Sequence, residues 1–271
     1  MRKGNRSSKS EPNADEEDRM KNRVALSLTI LLSVVFAAPA QQSQPAGAGP
    51  VASNRTDLYH VHFVKAAPGK SVELLNSLRN PGPDTPMPTH ALILRHLEGD
   101  DWDFAVIQHL GNKVTLDTSG APFGPARELR AWHNDTYAQG PSWSEFAKAM
   151  GIGQPQAGAA PAGSDLYIAA TYRGAAGHRA ELEQTLKRIT AGSLRPGDSV
   201  LLQHREGSPW DYLYVTRYNG WKDLAAQQED PEAGARARRA GLTQDAGVEL
   251  RQHMASHHDT IAERIAIQAA K

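Results

Sequence analysis

The chain has 271 residues, 39% of them apolar, so it can bury one or two ordinary hydrophobic cores. Its 30 basic and 30 acidic side chains cancel, so no global field favours nucleic acid or an anionic membrane. The lack of cysteine excludes disulfides, thiolate metal ligands, a cysteine nucleophile and a lipid anchor on cysteine. Eleven histidines remain as candidate metal ligands and proton carriers near neutral pH.

Residues 1–40 are interpreted as an N-terminal extension that ends in a secretory signal peptide. A basic flank precedes the apolar run Val24–Ala37, and Ala38–Ala40 supplies small residues where a signal peptidase cuts. The run is shorter than the about 20 residues that a membrane-spanning helix needs. We therefore expect cleavage after Ala40 and a periplasmic or secreted protein without membrane contact after cleavage. A start at Met20 and an uncleaved N-terminal anchor stay open as alternatives.

One motif, H-x-E-G-x-x-W-D-[F/Y], occurs twice in the chain, at His96–Phe104 and at His204–Tyr212. The same offset aligns the residues before each copy without a gap, which indicates a duplicated domain. Composition then divides the rest into tethers and repeats. The predicted organisation is a flexible tether at 41–55, a first repeat at 56–150, a linker at 151–164 and a second repeat at 165–271.

The first repeat predicts a strand, a helix, a hairpin and a second helix in chain order. β-Branched and aromatic residues indicate strands, and apolar residues at helical spacing indicate helices. A Gly-Asp pair between two apolar runs suits a two-residue hairpin turn. The predicted elements are a strand at Asp57–Val64, a helix at Ser71–Arg79, strands at His90–Leu97 and Trp102–Leu110, and a helix at about Ala126–Gln139.

The second repeat predicts the same order with one short helix added. Its elements are a strand at Asp165–Arg173, a helix at Gly177–Thr190, strands at Asp198–Glu206 and Trp210–Tyr218, a short helix at Trp221–Gln228 and a long closing helix at Ala246–Ala269. Each copy is therefore a ferredoxin-like α+β unit without a clear last strand. A strand within Ala262–Gln268 is the alternative to helix there.

The predicted hairpin register shows which residues share each face of the sheet. A turn at Gly99-Asp100 sets His96 opposite Asp103, and the second copy sets His204 opposite Asp211. Both faces of each hairpin are largely apolar, so both need a cover. Helices can cover only one face, so we expect the sheet of the sister copy to cover the other.

The opening Leu-Tyr-His-Val-His-Phe-Val-Lys-Ala-Ala-Pro-Gly-Lys at 58–70 resembles the start of NIPSNAP-like proteins. Two ferredoxin-like units packed sheet to sheet resemble the dimeric α/β-barrel superfamily, with its NIPSNAP-like, antibiotic-biosynthesis-monooxygenase-like and chlorite-dismutase-like members. The resemblance implies an intramolecular pseudo-dimeric α/β barrel, either a monomer with an internal pseudo-two-fold axis or a homodimer. The superfamily includes cofactor-free oxygenases, isomerases and haem proteins, so the fold leaves the function open. No residue here matches the axial histidine of the haem-binding members.

Aromatic residues on one hairpin face predict a ligand pocket between the sheets. An apolar cavity with a few polar groups is the usual site for a small molecule. Arg95 and Gln203 would orient the polar groups of such a ligand. If the aromatics fill the core instead, no cavity remains. The predicted pocket residues are Arg95, Trp102, Phe104, Gln203, Trp210, Tyr212 and Tyr214.

His60 and His62 are the candidate proton carriers. They alternate onto one face of the first strand, whereas the second copy has Ile168 and Ala170 at these positions. One half of a duplicated protein can keep a site while the other becomes scaffold. The alternative is that both histidines are ordinary polar core residues.

Two repeated polar clusters are expected to be structural. A second shared motif, His-x-Asp-Thr, places one histidine of each closing helix near the hairpin pair, and a metal site is the alternative. His253 and His257, spaced i and i+4 on a helix, form a weaker candidate metal pair. The clusters are His96, Asp103 and His133 in the first copy, and His204, Asp211 and His257 in the second.

The sequence thus favours an exported protein that binds a small apolar or aromatic molecule and needs no cofactor. It predicts no nucleic-acid partner. Three alternatives remain: a cofactor-independent oxygenase or isomerase with a histidine base, a metal or haem protein that uses His133, His253 or His257, and a structural module without catalysis.

Overall fold

The computed structural model describes residues 55–80, 90–112, 127–153, 165–193, 196–242 and 246–265. The predicted extension, signal peptide, most of the tether and most of the linker lie outside these residues. Among the described residues, none of the helices has the length and hydropathy needed to cross a membrane.

Eight antiparallel strands close into a single barrel, with helices between them. The elements in chain order are β1 (Asp57–Ala66), α1 (Ser71–Arg79), β2 (Ala91–Glu98), β3 (Phe104–Asn112), β4 (Arg130–Gly140), α2 (Trp143–Ala149), β5 (Leu166–Gly174), α3 (Arg179–Gly192), β6 (Ser199–Glu206), β7 (Tyr212–Tyr218), α4 (Trp221–Gln228), α5 (Ala233–Arg239), α6 (Ala246–His253) and β8 (Met254–Arg264). Around the barrel the strands follow the order β1-β3-β2-β8-β5-β7-β6-β4, and β4 returns to β1. The α+β class is confirmed.

The fourth strand of each half joins the two halves of the barrel. In the first half (residues 55–153), β4 pairs with β1 on one side and with β6 of the second half on the other. In the second half (residues 165–265), β8 pairs with β5 and with β2 of the first half. Every strand thus has two hydrogen-bonded neighbours, which leaves no free edge among them.

The predicted closing helices are wrong, because β4 and most of Ala246–Ala269 that is described form strands. In β4, Thr136, Ala138 and Gly140 are buried while the residues between them are more exposed, which is the period of a strand. Helix α6 ends at His253, and β8 follows without a break. Hydrogen bonds to a strand on each side outweigh the helical spacing of the apolar residues there.

The hairpin registers are confirmed. Leu92 pairs with Ile107 and Leu202 with Leu213, as the turn positions predicted. The connections are longer than a two-residue turn, since β2 ends at Glu98 and β3 begins only at Phe104. Helices α1 and α4 have the predicted bounds, whereas α2 and α5 were not predicted.

Alternate residues of all eight strands form the core inside the barrel. Helix α2 packs against one end of it, where Phe146 lies 5.0 Å from Tyr59 between ring centroids and the Tyr59 hydroxyl donates to the Pro141 carbonyl at 2.8 Å. The inward strand residues are Tyr59, Val61, Phe63, Leu92, Leu94, Ala105, Ile107, Ala138, Tyr167, Ala169, Val200, Leu202, Leu213, Val215 and Ala262.

Helices cover parts of the outer surface. Leu74 and Leu78 of α1 pack on outward residues of β1, β2 and β3. Leu182 of α3 and Leu250 of α6 pack on outward residues of β5, β6 and β7. The outer face is therefore a second apolar layer in both halves that helices cover, whereas the inner faces of both halves share one core.

The repeated glycines lie where a hairpin tip of one half meets the fourth strand of the other. Gly99 has a φ of 128°, and a Cβ there would overlap the carbonyl oxygen of Asp259. Gly207 has a φ of 112° and faces the Asp135 carbonyl in the same way. The two repeated sequence motifs thus pack on each other across the halves, which gives both a structural reason to recur.

Candidate functional sites

A cavity opens at the barrel end opposite α2. Its volume is about 370 Å³, and residues from both halves line it. Trp102 and Trp210, the tryptophans of the repeated motif, are nearly buried in its wall, whereas Trp132 is 36% exposed. The full lining is Phe63, Asp100, Trp102, Trp132, Asn134, Thr171, Arg173, Pro209, Trp210, Ser256 and His258.

Polar groups of both signs surround the aromatic wall of this cavity. Arg173 on β5 and His258 on β8 carry basic nitrogens, and Asp100 on the hairpin tip carries a carboxylate. The indole Nε1 of Trp210 is buried without a hydrogen-bond partner among the described residues. The cavity therefore combines an aromatic wall with a few polar side chains, the arrangement typical of a small-molecule site.

The seven predicted pocket residues do not share one cavity, so that expectation is corrected. Trp102 and Trp210 line it, because they precede the regular strands and turn inward. Phe104 packs with the α1 layer, and Tyr212 and Tyr214 pack with the α3 layer. The other two are engaged elsewhere: Arg95 forms an ion pair with Glu263, and Gln203 accepts a hydrogen bond from Arg55 at 3.0 Å.

His60 and His62, the predicted proton carriers, lie together on the outer face of β1. Their cross-strand partners on β4 are Tyr137 and Asp135. One oxygen of Asp135, Oδ1, accepts hydrogen bonds from both histidines, with 2.9 Å between it and Nε2 of His60. Its other oxygen lies 2.6 Å from Nδ1 of His133. We call these four residues the histidine cluster: His60, His62, His133 and Asp135.

The histidine cluster is closed on one side and open on the other. His60 and His62 are each 1% exposed. The side chains of His133 and Asp135 are 40% and 41% exposed. The rings of His62 and His133 stack with centroids 5.4 Å apart. The two buried imidazoles thus adjoin a half-exposed carboxylate and a half-exposed imidazole.

Burial and hydrogen bonding have opposite effects on the pKa values of His62 and Asp135. Burial lowers the pKa of His62, and the hydrogen bond to Asp135 only partly offsets it. Burial disfavours ionised Asp135, but the hydrogen bonds from His60 and His62 together outweigh it and hold the pKa of Asp135 well below its usual value. A neutral His62 therefore donates to an ionised carboxylate at neutral pH.

The predicted repeated clusters are not assembled as expected, because they depended on closing helices. The Asp103 carboxylate accepts from the backbone N–H of Ala66 at 2.8 Å, and that of Asp211 accepts from Gly174 at 2.7 Å. These aspartates tie the start of each β3 or β7 strand to the end of β1 or β5.

The histidines of those clusters have separate neighbours. His96 and His204 each lie against the tryptophan of their own motif, with ring centroids 5.7 and 5.3 Å apart. His204 also accepts a hydrogen bond from the Ser208 backbone at 3.1 Å. His257 stacks on Tyr172, and His133 belongs to the histidine cluster.

The His253 and His257 pair has no helical i, i+4 geometry. His253 is the last residue of α6 and lies beside His178, with ring centroids 5.7 Å apart, while His257 belongs to β8. Among the described residues, the only group of three histidine or carboxylate side chains that could hold a metal ion is His60, His62 and Asp135.

Sequence reasoning missed Asp135 as the centre of the cluster and Arg173 and His258 as pocket residues. On a helix, the aspartate of His-x-Asp-Thr points away from its histidine. On a strand, residues two apart share a face, so strand assignment would have placed Asp135 beside His133.

No family model matches the chain, and no curated protein matches it. Among solved structures, an anthrone oxidase-like protein is 11% identical, with 80% of this chain and 94% of its own covered and a TM-score of 0.49. A "putative monooxygenase" from Lactobacillus acidophilus NCFM is 10% identical, with 77% and 94% covered and a TM-score of 0.45. Another so described, from Fusobacterium nucleatum subsp. nucleatum, is 9% identical, with 79% and 94% covered and a TM-score of 0.45. These values leave the activity of this chain open, and the NIPSNAP-like resemblance stays a prediction.

Proposed function

We propose that the protein binds a small aromatic or apolar molecule in the cavity at the barrel end. The observation that carries this proposal is the tryptophan-lined cavity of about 370 Å³. Ligand pockets usually have volumes of about 300–1,000 Å³, so one or two fused rings fit it. Aromatic walls contribute binding energy through buried area and stacking at little entropic cost.

The polar groups favour a ligand with one acceptor group. Arg173 at the rim offers five N–H donors to an oxygen anion, and His258 offers an imidazole nitrogen. The mixture of Arg173 and Asp100 argues against a highly charged ligand. A fused aromatic ring with a hydroxyl or carboxylate group fits both features.

The same proposal includes a tandem origin for the site. The two halves repeat the same order of four strands, and equivalent residues of the two copies, such as Trp102 and Trp210, line one cavity. A pseudo-dimer within one chain would build such a shared site. Export to the periplasm or the medium, expected from residues 20–40, is part of the proposal and is tested by N-terminal sequencing of the mature chain.

Isothermal titration with naphthalene, 2-naphthol and 2-naphthoate tests the site. We expect saturable one-to-one binding that strengthens from the hydrocarbon to the two oxygen-bearing probes. Trp132→Ala should weaken binding by roughly tenfold, because it removes an aromatic wall at a half-open position. Trp221→Ala is the matched control, since Trp221 on α4 is 58% exposed and lies outside the cavity.

Two results would overturn the proposal. One is the absence of saturable binding for all three probes up to the solubility limit of each. The other is equal weakening by Trp132→Ala and Trp221→Ala, which would place the bound probe elsewhere on the surface.

A further inference from the structure

We propose that the histidine cluster is a binding site for a divalent transition-metal ion of the zinc class. The cluster faces outward from the barrel wall, whereas the cavity lies inside it, so this proposal is independent of the small-molecule site. It differs from the weak candidate metal pair of the sequence, His253 and His257, which do not have helical i, i+4 geometry in the structure.

The donor atoms converge on one point. Nε2 of His60, Nδ1 of His62 and an oxygen of Asp135 all lie within 4.8 Å of one another. Ligands about 2.0–2.2 Å from a zinc ion are separated by distances of this order or less. Two imidazoles and one carboxylate form a nitrogen and oxygen donor set that suits zinc, iron(II), nickel(II) or cobalt(II).

His133 lies beside this donor set on the open side. Its Nδ1 is 2.6 Å from the second oxygen of Asp135, although its nitrogens do not belong to the group of donor atoms that lie within 4.8 Å of one another. The half-exposed His133 and Asp135 give an ion a route from solvent. On binding a cation through Nε2 of His60 and Nδ1 of His62, each neutral imidazole would carry its proton on the opposite ring nitrogen, Nδ1 of His60 and Nε2 of His62.

The arrangement is held by rigid elements. His60 and His62 lie on β1, which is hydrogen-bonded on both sides, and Asp135 lies directly opposite His62 on β4. Strand-borne ligands in register keep their spacing better than ligands on loops. Preformed donors reduce the ordering cost of binding an ion.

The second half shows that the barrel closes without these donors. Its β8 keeps His257 and Asp259, but Ile168 and Ala170 replace the two buried histidines at the matching positions of β5. The register of β5 with β8 is nonetheless unbroken from Leu166 to Arg173. His60 and His62 are thus additions to a frame that does not require them, as expected for a ligand site.

Cobalt(II) titration of the untagged, chelator-treated full chain tests the site. We expect one equivalent of Co²⁺ to give visible d–d absorption bands that Zn²⁺ displaces, and one equivalent of Zn²⁺ to raise the melting temperature. The double variant His60→Ile/His62→Ala, which copies the second half, should lose the bands and weaken binding at least tenfold. Asp135→Asn should do the same.

Asp259→Asn is the matched control and should bind cobalt as the wild type does. Melting curves without metal establish that each variant is folded. The double variant replaces buried polar groups with apolar ones, so it should fold even if Asp135→Asn does not, and the site can still be tested. The proposal is overturned if the wild type gives no saturable bands and no zinc-dependent rise in melting temperature. It is also overturned if the double variant retains both, because the ion would then lie elsewhere.

Discussion

On the outer surface of the barrel, β1 and β5 pair with β4 and β8 in matching registers but carry different side chains. In the first half, Asp135 accepts hydrogen bonds from two buried histidines, and its pKa lies below the usual value. In the second half, Asp259 occupies the matching position on β8, and burial raises its pKa because Ile168 and Ala170 offer no hydrogen bond. The ionised carboxylate is therefore favoured by folding at Asp135 and disfavoured at Asp259. At both positions the backbone carbonyl oxygen of the aspartate faces the glycine of the opposite hairpin tip, Gly207 or Gly99, and we call these two contacts the seam.

The largest effect is expected at that seam, where the halves are equivalent. Gly207→Ala and Gly99→Ala should each lower the free energy of unfolding by about 3 kcal/mol or more, because a Cβ would overlap a strand carbonyl and the backbone φ is positive. Urea denaturation measures this.

Gly177→Ala is the control for the seam, since its φ is 81° and nothing lies within 4 Å of a Cβ there. It should cost only about 1–2 kcal/mol from backbone strain. Equal losses for Gly207→Ala and Gly177→Ala would mean that the hairpin tips do not pack on the opposite fourth strands.

Replacement by asparagine should change the free energy of unfolding differently at Asp135 and at Asp259. Asp135→Asn in the metal-free protein should lower the free energy of unfolding at pH 7 by about 1 kcal/mol, since it weakens charged hydrogen bonds at a partly solvated carboxylate. Asp259→Asn should not destabilise, because the pKa of Asp259 is raised in the folded protein, so its ionised form gains no stability from folding. Equal destabilisation by both would show that the histidines do not stabilise Asp135.

A smaller effect on stability is expected when His60 and His62 are replaced by the residues at the matching positions of the second half, Ile168 and Ala170. His60→Ile/His62→Ala should change the free energy of unfolding by less than about 1 kcal/mol without metal. Lost hydrogen bonds to Asp135 are offset because Nδ1 of His60 and Nε2 of His62 are buried without partners among the described residues. A loss of several kcal/mol in chemical denaturation would make the two histidines structural.

The smallest effect is the pH dependence at Asp259. Burial raises its pKa, and the imidazoles of His257 and His258 offset this only in part. Ionised Asp259 therefore costs stability above its folded pKa, and this cost disappears when pH falls below about 4, where the carboxyl is protonated in both states. The advantage of Asp259→Asn should accordingly be present at pH 7 and vanish near pH 3.5. An advantage that grows on acidification would contradict the sign of the pKa shift.

Hairpins and their register were predictable because Gly99-Asp100 marks the turn between two apolar runs and the same pattern recurs in the second copy. The position of His96 opposite Asp103 follows from that local pattern alone. Helix α1 was predictable for the same reason, since its buried face repeats within nine residues.

The fourth strands were not predictable from local pattern, because their buried residues carry little apolar signal. Thr136, Ala138 and Gly140 are small, and the conspicuous side chains of β4, such as Trp132 and His133, face the mouth or the outside. The strand is specified by partners distant in the sequence. Both Asp135 and the composition of the cavity depend on that pairing, so the candidate sites could be foreseen only in part: His60, His62, Trp102 and Trp210.

Because each fourth strand also pairs with the other half, the barrel can close only after the last strand has been synthesised. During synthesis, β2 is complete long before β8. One edge of β2, which includes Leu94, therefore lacks its partner until Arg264 has been added. Nascent chains therefore carry an unpaired strand edge through most of translation, and closure depends on contacts of very long sequence separation, which form slowly. Molecules interrupted before Met254 would keep that edge, so aggregation of incomplete chains is the cost of a barrel whose last strand completes its first half.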